Sequence, residues 1–378
     1  MKKILIDANP IVPYLAKGKI TGIGRTCMEL ISELGRMKDK LPFEINLYTQ
    51  NIHGINAMPL KSGFHCHHLY FRTTDPWNRF ARLLHFRELM TKYDLQHITH
   101  NYEIVTDPSR CIVTVHDAFF MKLDVENFDY VKFRKTYPPF IRSARHIITC
   151  SEYSAKDIEE TISVPREKIT VIPWGVDHNI FYVENNRDEL RAKLLQSFGV
   201  SNQYFLSVSC DAGRKRTPDL IKSYLTLDNP INDLVLIWNN PPAKVLKMIN
   251  GNPRVHLLSG ISNEDLRILY NCATASVNPT AYEGFGLPIL EAMACGCAAV
   301  TCFNSSLPEV GGDVAIYIDE PITETLPRIL HNIDNGSVDL TRAQNEGPVR
   351  AALFTWERTA QETVAVYVNE LNMLSENK

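Results

Sequence analysis

The chain has 378 residues, of which 44% are hydrophobic and 22% charged, and its formal net charge at pH 7 is -3. That length exceeds what one ordinary hydrophobic core organises and suits two domains. The composition is that of a globular protein, and the small net charge gives no reason to expect a nucleic-acid partner.

The N-terminus predicts a β-strand rather than a targeting segment. Asp7 ends the apolar run that begins at Ile4, well short of the roughly 7–15 residues of a signal-peptide core. No apolar stretch reaches the roughly 20 residues that cross a bilayer. We therefore expect a cytoplasmic protein.

Short apolar runs alternate with amphipathic segments along the chain. Strands are predicted at Lys3–Ala8, Phe43–Thr49, Leu95–Thr99, Ile112–His116, Ile147–Cys150, Ile169–Ile172, Tyr204–Ser209, Leu234–Trp238, Val255–Leu258, Ala273–Val277, Ala298–Thr301 and Ala315–Ile318. Helices are predicted at Ile23–Met37, Trp77–Lys92, Val131–Ala144, Ser154–Thr161 and Thr355–Leu371. Apolar strands alternating with helices indicate parallel sheets covered on both faces. The predicted fold class is α/β, with two Rossmann-like, doubly wound domains.

A Pro and Gly cluster at Pro173–Gly175, followed by a charged stretch, marks the predicted domain junction. The first domain then covers 1–172 and the second covers 173–354.

The nine cysteines are scattered without framework spacing, which is typical of reduced thiols. His65, Cys66, His67 and His68 are residue types that bind zinc, but no second ligand pair follows at zinc spacing. We interpret this segment as a polar strand or loop.

A glycine-rich turn leading into a helix lies at 279–297. Gly284 and Gly286 allow close backbone approach, Pro288 suits the first helical position, and Gly296 suits the helix end. The N–H groups at such a helix start favour a phosphate.

Two glutamates, Glu283 before the turn and Glu291 in the expected first helical turn, are candidates for binding a ribose diol. The simpler alternative for Glu291 is that it complements the helix dipole.

The sequence from Glu283 to Gly296 resembles the retaining GT-B enzymes of glycosyltransferase family four, whose pattern is E-G-F-G-L-P-x-x-E-A-M-A-x-G. The resemblance implies two domains facing a central cleft and a nucleotide-sugar donor, with neither a metal nor another cofactor. It implies that Glu291 holds the donor ribose. It also implies that Glu283 and the backbone of Gly284, Phe285, Gly286 and Leu287 contact the donor sugar and diphosphate.

The resemblance extends along the chain. Leu258–Ile261, with Gly260, resembles the family's loop beside the nucleobase, and Ser305–Asp313 resembles the segment after the donor helix. We interpret Glu309 in that segment as a helix-terminus residue. Residues 355–378 resemble the final helix, which in this fold crosses back onto the first domain.

Arg214 and Lys215 follow a predicted strand, at the edge where ligands bind in open α/β sheets. Without other information, the simpler interpretation is that they belong to a solvent-exposed run of charges with Arg216. The family resemblance assigns Lys215 to the diphosphate with Arg214 as its companion. Many relatives have an Arg where this chain has Cys210.

The turn at Gly22, Gly24 and Arg25 follows the first strand and matches the family's N-terminal loop, whose backbone N–H groups approach the donor phosphate. His116 resembles the family's histidine near the reacting sugar, although a core histidine is the simpler interpretation. Asp117 is expected to fix the turn or to orient His116.

The resemblance further implies transfer with retention of configuration through a front-side mechanism. The motifs are similar to those of mannosyltransferases of bacterial surface-polysaccharide assembly, which favours GDP-mannose as donor. Two alternatives stay open: another GT-B enzyme, such as a nucleotide-sugar epimerase or a phosphorolytic enzyme, and a non-catalytic nucleotide-sugar-binding protein.

The acceptor, a glycan or lipid-linked glycan, is expected on the first domain. The basic, aromatic segment Trp77–Arg87 either packs on its own sheet or makes a peripheral contact with the inner membrane face.

Overall fold

The computed structural model describes residues 1–18, 21–51, 53–57, 60, 62–70, 91–100, 107–122, 128–210 and 213–376. The chain forms two compact units. Unit 1 comprises Met1–Gly175 and Trp356–Lys378, and unit 2 comprises Val176–Thr355. The junction thus lies at Gly175, three residues after the predicted end of the first domain. The predicted helix Trp77–Lys92 and the basic segment within it lie outside the described residues, apart from its last two positions.

Unit 1 contains a parallel sheet with the order β3-β2-β1-β4-β5-β6-β7 among the described residues. Its strands are β1 (Lys3–Asp7), β2 (Glu44–Gln50), β3 (His65–Leu69), β4 (Leu95–Ile98), β5 (Cys111–Thr114), β6 (His146–Thr149) and β7 (Ile169–Val171).

The described α-helices of unit 1 flank this sheet. They are α1 (Val12–Lys17), α2 (Gly22–Arg36), α3 (Phe119–Lys122), α4 (Phe128–Ser143), α5 (Glu152–Asp157) and the final helix, which we number α14 (Trp356–Glu376). Helix α5 continues into a π-helical turn at Ile158–Ile162.

Unit 2 contains a second parallel sheet with the order β10-β9-β8-β11-β12-β13. Its strands are β8 (Tyr204–Val208), β9 (Asp233–Ile237), β10 (Val255–Leu258), β11 (Ala275–Asn278), β12 (Ala298–Cys302) and β13 (Ile316–Ile318). Its described helices are α6 (Arg187–Phe198), α7 (Thr217–Leu225), α8 (Ala243–Ile249), α9 (Asn263–Cys272), α10 (Leu287–Ala294), α11 (Leu307–Gly311), α12 (Ile322–Asp334) and α13 (Thr341–Ala351).

The predicted strands are confirmed, with ends that differ by at most two residues. They form because apolar runs buried on both faces suit the interior of a parallel sheet. Strand β3 coincides with the His65–His68 segment. It is the edge strand of its sheet, where one side needs no strand partner and polar residues are tolerated.

In each sheet all strands are parallel, but the order in which the chain adds them reverses once. We call this place the reversal point, and it positions the candidate sites. The chain builds outward from β1 to β3, then returns to place β4 on the other side of β1, and β8 and β11 repeat this arrangement. Ligands of doubly wound folds bind at the carboxyl ends of the two strands on either side of such a reversal. In each unit we therefore expect a ligand at this edge of the sheet.

The final helix, α14, belongs to unit 1 and packs against the core beneath β1 and β2. Ala360, Tyr367 and Leu371 are buried in the same cluster as Ile4 and Leu47. These positions lie within the helix predicted at Thr355–Leu371.

Polar contacts fix α14 on the sheet. The Tyr367 hydroxyl lies 2.5 Å from His97 Nδ1, and His97 Nε2 lies 2.8 Å from Thr114 Oγ1. Burial lowers the pKa of His97 to about 3, so the ring is neutral. Glu370, on the same helix, pairs with Arg145 at 2.5 Å and with His146 at 3.2 Å.

Across the described residues, every helix is too short or too polar to traverse a lipid bilayer.

The Tyr367→Phe variant tests the contact between α14 and the sheet. It leaves a buried His97 nitrogen without its partner, which costs about 1–3 kcal/mol. We expect the melting temperature to fall by several degrees in scanning calorimetry. Tyr14→Phe, at a partly exposed position on α1, should change it little. Equal melting temperatures for the two variants would contradict this assignment.

Candidate functional site

The candidate site of unit 2 lies where β8 and β11 end side by side. The chain after β8 passes through Cys210, which is exposed, and forms a short 3-10 helix at Gly213–Lys215. The chain after β11 forms the glycine-rich turn that precedes α10. The structure therefore brings two separately predicted segments to the same edge of the sheet.

Glu283 lies between two cations. Its Oε2 accepts a hydrogen bond from Arg214 Nη1 at 3.0 Å, and its Oε1 accepts one from Lys215 Nζ. The three side chains are only 12–21% exposed. Arg214 Nη1 also donates to the Tyr282 carbonyl at 2.9 Å. The cluster thus links the segment after β8 to the turn after β11.

The neighbouring cations affect the ionisation of Glu283. Burial alone would raise the pKa of Glu283, but the adjacent Lys215 and Arg214 charges lower it below its ordinary value. Within this three-residue cluster, two cations face one carboxylate. Arg216, the third cation of the sequence run, pairs instead with Glu320 at 2.5 Å.

Glycine is required at Gly286, the residue that caps α10. Its φ is +114°, and a Cβ there would lie 3.0 Å from Leu307 Cδ2. Helix α10 begins at Leu287, so Pro288 is its second residue rather than its first.

Glu291 occupies the second turn of α10, not the first turn expected from the sequence. It is 4% exposed, and the Tyr270 hydroxyl lies 3.5 Å from its Oε2. Because dipole effects fall off within the first turn, compensation of the helix dipole does not account for this buried carboxylate. Tyr270, on α9, was not anticipated because its contact depends on the packing of two helices.

Two serines after β12 support the Glu283 turn. Ser305 Oγ accepts from the Glu283 N–H at 3.0 Å, and Ser306 Oγ donates to the Glu283 and Phe285 carbonyls at 2.9 Å each. Ser306 is fully buried. The sequence resemblance indicated this segment but not these contacts.

Gly260 follows β10 at the same edge of the sheet. Its φ is +67°, and its N–H donates to Asn239 Oδ1 at 3.0 Å. Asn239 follows β9, so one side chain connects the ends of two neighbouring strands. Sequence reasoning did not select Asn239.

The predicted residues at the start of α2 are in unit 1. Thr21 caps this helix, and its hydroxyl accepts from the Gly24 N–H at 3.0 Å. The Arg25 N–H donates to the Thr21 carbonyl at 2.9 Å, and a Cβ at Gly22 would have no atom of the described residues within 4 Å. This turn does not follow β1 directly, because Asn9–Ile11 and α1 intervene.

His116, two residues beyond β5, is 5% exposed. Its Nε2 lies 2.9 Å from the Thr99 carbonyl oxygen, so Nε2 carries the hydrogen. Burial lowers the pKa of His116 to about 4, and the ring is neutral at pH 7. Nδ1 then has a lone pair, and among the described residues it has no hydrogen-bond partner. The ring also packs on Trp174 at 4.9 Å.

Three other residues singled out in the sequence support the fold locally. Asp117 Oδ1 accepts from the Phe119 N–H at 3.4 Å, which is consistent with fixing the turn. Glu309 lies in the first turn of α11, as expected for a helix-terminus residue. His68 bonds to Thr49 Oγ1 and to the Asn51 carbonyl, each at 3.1 Å.

Two family models match the chain. The model for Glycosyltransferase Family 4 matches residues 20–180, and the model for Glycosyl transferases group 1 matches residues 215–331. The O-antigen chain mannosyltransferase B of Escherichia coli is 27% identical over 97% of this chain and 99% of its own length. The chain belongs to glycosyltransferase family 4.

The fold of this glycosyltransferase is GT-B. Sucrose-phosphate synthase from Thermosynechococcus elongatus superposes with a TM-score of 0.77 at 17% identity, covering 98% of this chain and 99% of the synthase chain. Anabaena HepE, solved with UDP and glucose, has a TM-score of 0.74 at 16% identity, covering 98% and 100% respectively. At these identities the likeness establishes the fold alone.

The residue ranges matched by the two family models contain all but one of the predicted site residues. Arg214 is the exception, and it precedes the second match by one position.

The lowered pKa of Glu283 predicts a pH-dependent contribution to stability. A depressed folded-state pKa contributes stability above the unfolded-state value of about 4.3, and this stability is lost as pH falls through the folded-state value. Glu283→Gln should therefore lower the melting temperature at pH 7, and this difference should shrink progressively below about pH 4.5. Scanning calorimetry of both proteins across this range measures it.

The matched control is Glu346→Gln, since Glu346 forms an exposed ion pair with Arg342. Such pairs contribute only about 0–1 kcal/mol. A difference between wild type and Glu283→Gln that stays constant from pH 7 to pH 3 would be evidence against the buried ion pair.

Proposed function

We propose that the protein transfers a mannosyl residue from GDP-mannose to a glycan or lipid-linked glycan, with retention of configuration and without a metal. The observation that carries the proposal is the Arg214–Lys215–Glu283 cluster beside the glycine turn, at the reversal point of the second sheet. The likeness over nearly full length to an O-antigen mannosyltransferase supports mannose as the transferred sugar.

In this proposal Arg214 and Lys215 bind the donor diphosphate. Breaking the bond from the sugar to the diphosphate places growing negative charge on the leaving group, and fixed cations stabilise that charge. The two cations beside Glu283 suit this role. The same two cations replace the divalent ion that would otherwise neutralise a diphosphate.

Glu283 has two roles in this account. It holds both cations in fixed positions before the donor binds, which avoids reorganisation during the reaction. Its turn also places the backbone of Gly284, Phe285, Gly286 and Leu287 at the start of α10, where a helix favours phosphate. Glu283 and this backbone are proposed to contact the donor sugar and diphosphate.

Glu291 is proposed to accept hydrogen bonds from the donor ribose. Its burial at 4% exposure and its contact with Tyr270 hold the carboxylate in one orientation. A ribose diol supplies two hydroxyl donors, which a carboxylate can accept. Gly260, held by Asn239, is proposed to lie beside the nucleobase.

In unit 1, His116 and the start of α2, with Gly22, Gly24 and Arg25, are proposed to contact the donor. With Nε2 donating to Thr99, the neutral His116 ring offers Nδ1 as an acceptor for a sugar hydroxyl. In a front-side transfer the departing diphosphate oxygen takes the proton of the acceptor hydroxyl as the new glycosidic bond forms. No protein carboxylate is then needed as a nucleophile.

Calorimetric titration of donors in EDTA tests the donor site. GDP-mannose should bind saturably without metal, whereas UDP-glucose, UDP-N-acetylglucosamine and dTDP-rhamnose should bind more weakly. Lys215→Ala and Glu291→Ala should each weaken GDP-mannose binding at least about tenfold, equivalent to roughly 1.4 kcal/mol.

Lys222→Ala and Glu346→Ala are matched controls, because both side chains are exposed in unit 2. Both should bind GDP-mannose as wild type does. Absence of saturable binding by folded wild type, or a requirement for a divalent cation, would overturn the proposed donor site.

A further inference from the structure

Three consecutive polar side chains after β12 hold the turn that carries Glu283. Ser305 and Ser306 both bond to the Glu283 backbone, at 3.0 and 2.9 Å respectively. The Ser305 hydroxyl also donates to Asn304 Oδ1 at 3.1 Å, and Asn304 Nδ2 donates to the Thr280 carbonyl at 3.2 Å. This three-residue segment, which we call the support segment, therefore contacts the turn both at its start and at Glu283.

Arg214 holds the same turn from the end of β8. Its carbonyl accepts from the Ala281 N–H at 2.7 Å, and its Nη1 donates to the Tyr282 carbonyl at 2.9 Å. Strands β8 and β12 are the two neighbours of β11, which the turn follows. The turn is therefore fixed from both adjacent strand ends, and the position of the Glu283 carboxylate depends on the support segment as well as on its ion pairs.

The backbone of Ser305 is left-handed, with a φ of +48°. A Cβ makes this conformation unfavourable, whereas glycine adopts it readily. Glycine has no hydroxyl, however, and could make neither of the Ser305 contacts. Arg216, directly after Lys215, is also left-handed, with a φ of +50°. Unfavourable backbone conformations of this kind concentrate at functional sites, where the surrounding structure holds them.

We infer that Ser305 is a positioning residue for the donor diphosphate, which acts by holding Glu283 between its two cations. This inference rests on the proposed function, in which Arg214 and Lys215 bind that diphosphate. The Ser305 hydroxyl donates to Asn304 and accepts from the Glu283 N–H, so its effect passes through the turn. Cations that are fixed before the ligand arrives need no reorganisation when it binds. Loss of the hydroxyl therefore weakens the binding of a nucleoside diphosphate sugar.

The Ser305→Gly variant tests the inference, because glycine keeps the left-handed backbone accessible and removes only the hydroxymethyl group. Relief of the unfavourable conformation offsets the lost hydrogen bonds, so we expect a melting temperature close to that of wild type. Calorimetric titration with GDP-mannose in EDTA should show binding at least about threefold weaker.

Asn250→Gly is the matched control. Asn250 has the same φ of +48°, and it lies in the same unit, at the end of α8, with an exposed side chain. Its replacement changes the backbone freedom in the same way without removing a contact to the Glu283 turn. This variant should bind GDP-mannose as wild type does.

An NMR pH titration of the Glu283 carboxyl carbon gives a second readout that needs no donor. The resonance is identified by its absence from the spectrum of Glu283→Gln. Burial raises the pKa of Glu283, but the Lys215 and Arg214 charges bring it below its ordinary value. Ser305→Gly should raise this pKa, because the carboxylate is no longer held between the two cations. Asn250→Gly should leave it unchanged.

The two readouts separate the inference from the proposed function. Weaker donor binding together with a raised Glu283 pKa in Ser305→Gly, and neither change in Asn250→Gly, supports the inference. If the wild type binds GDP-mannose, an unchanged affinity or an unchanged Glu283 pKa in Ser305→Gly overturns the inference alone. If the wild type does not bind GDP-mannose, the proposed donor is wrong, and the Glu283 titration still decides whether Ser305 positions that carboxylate.

Discussion

The ion-pair cluster of Glu283 with Arg214 and Lys215 is the interaction on which the site of unit 2 depends. It connects segments that follow two different strands and fixes two cations at the edge of the sheet. Ser305 and Ser306 hold the Glu283 backbone from a third strand end. A carboxylate so enclosed is stabilised only while both cations are present, because an unpaired buried charge is strongly unfavourable. In the proposed function, these two fixed cations bind the donor diphosphate.

The same topology produces a different kind of chemistry in each unit. At the reversal point of the second sheet the fold places cations and a helix start, which favour an anion. At the carboxyl ends of the strands of the first sheet it places the buried, neutral imidazole of His116, whose Nδ1 can accept a hydrogen bond. Apart from a seventh strand, β7, at one edge of the first sheet, the two sheets have the same strand order, so the difference arises from the few residues that follow each strand. A family 4 glycosyltransferase needs both an anionic donor and a hydroxyl-bearing acceptor.

Local sequence patterns predicted the fold well, because a strand buried on both faces must be apolar along its whole length. They predicted the site in part. Glu283, Lys215 and Gly286 follow predicted strands or turns, so their position at the sheet edge could be inferred. The contacts of Tyr270, Ser306 and Asn239 could not, because they depend on how distant segments pack.

The most direct test of the central claim is a crystal structure of the protein grown with GDP-mannose in EDTA. We expect the diphosphate within hydrogen-bonding distance of Lys215 Nζ or the Arg214 guanidinium, and the ribose hydroxyls against the Glu291 carboxylate. A diphosphate bound elsewhere, or a Glu291 that remains packed away from the ribose, would contradict it.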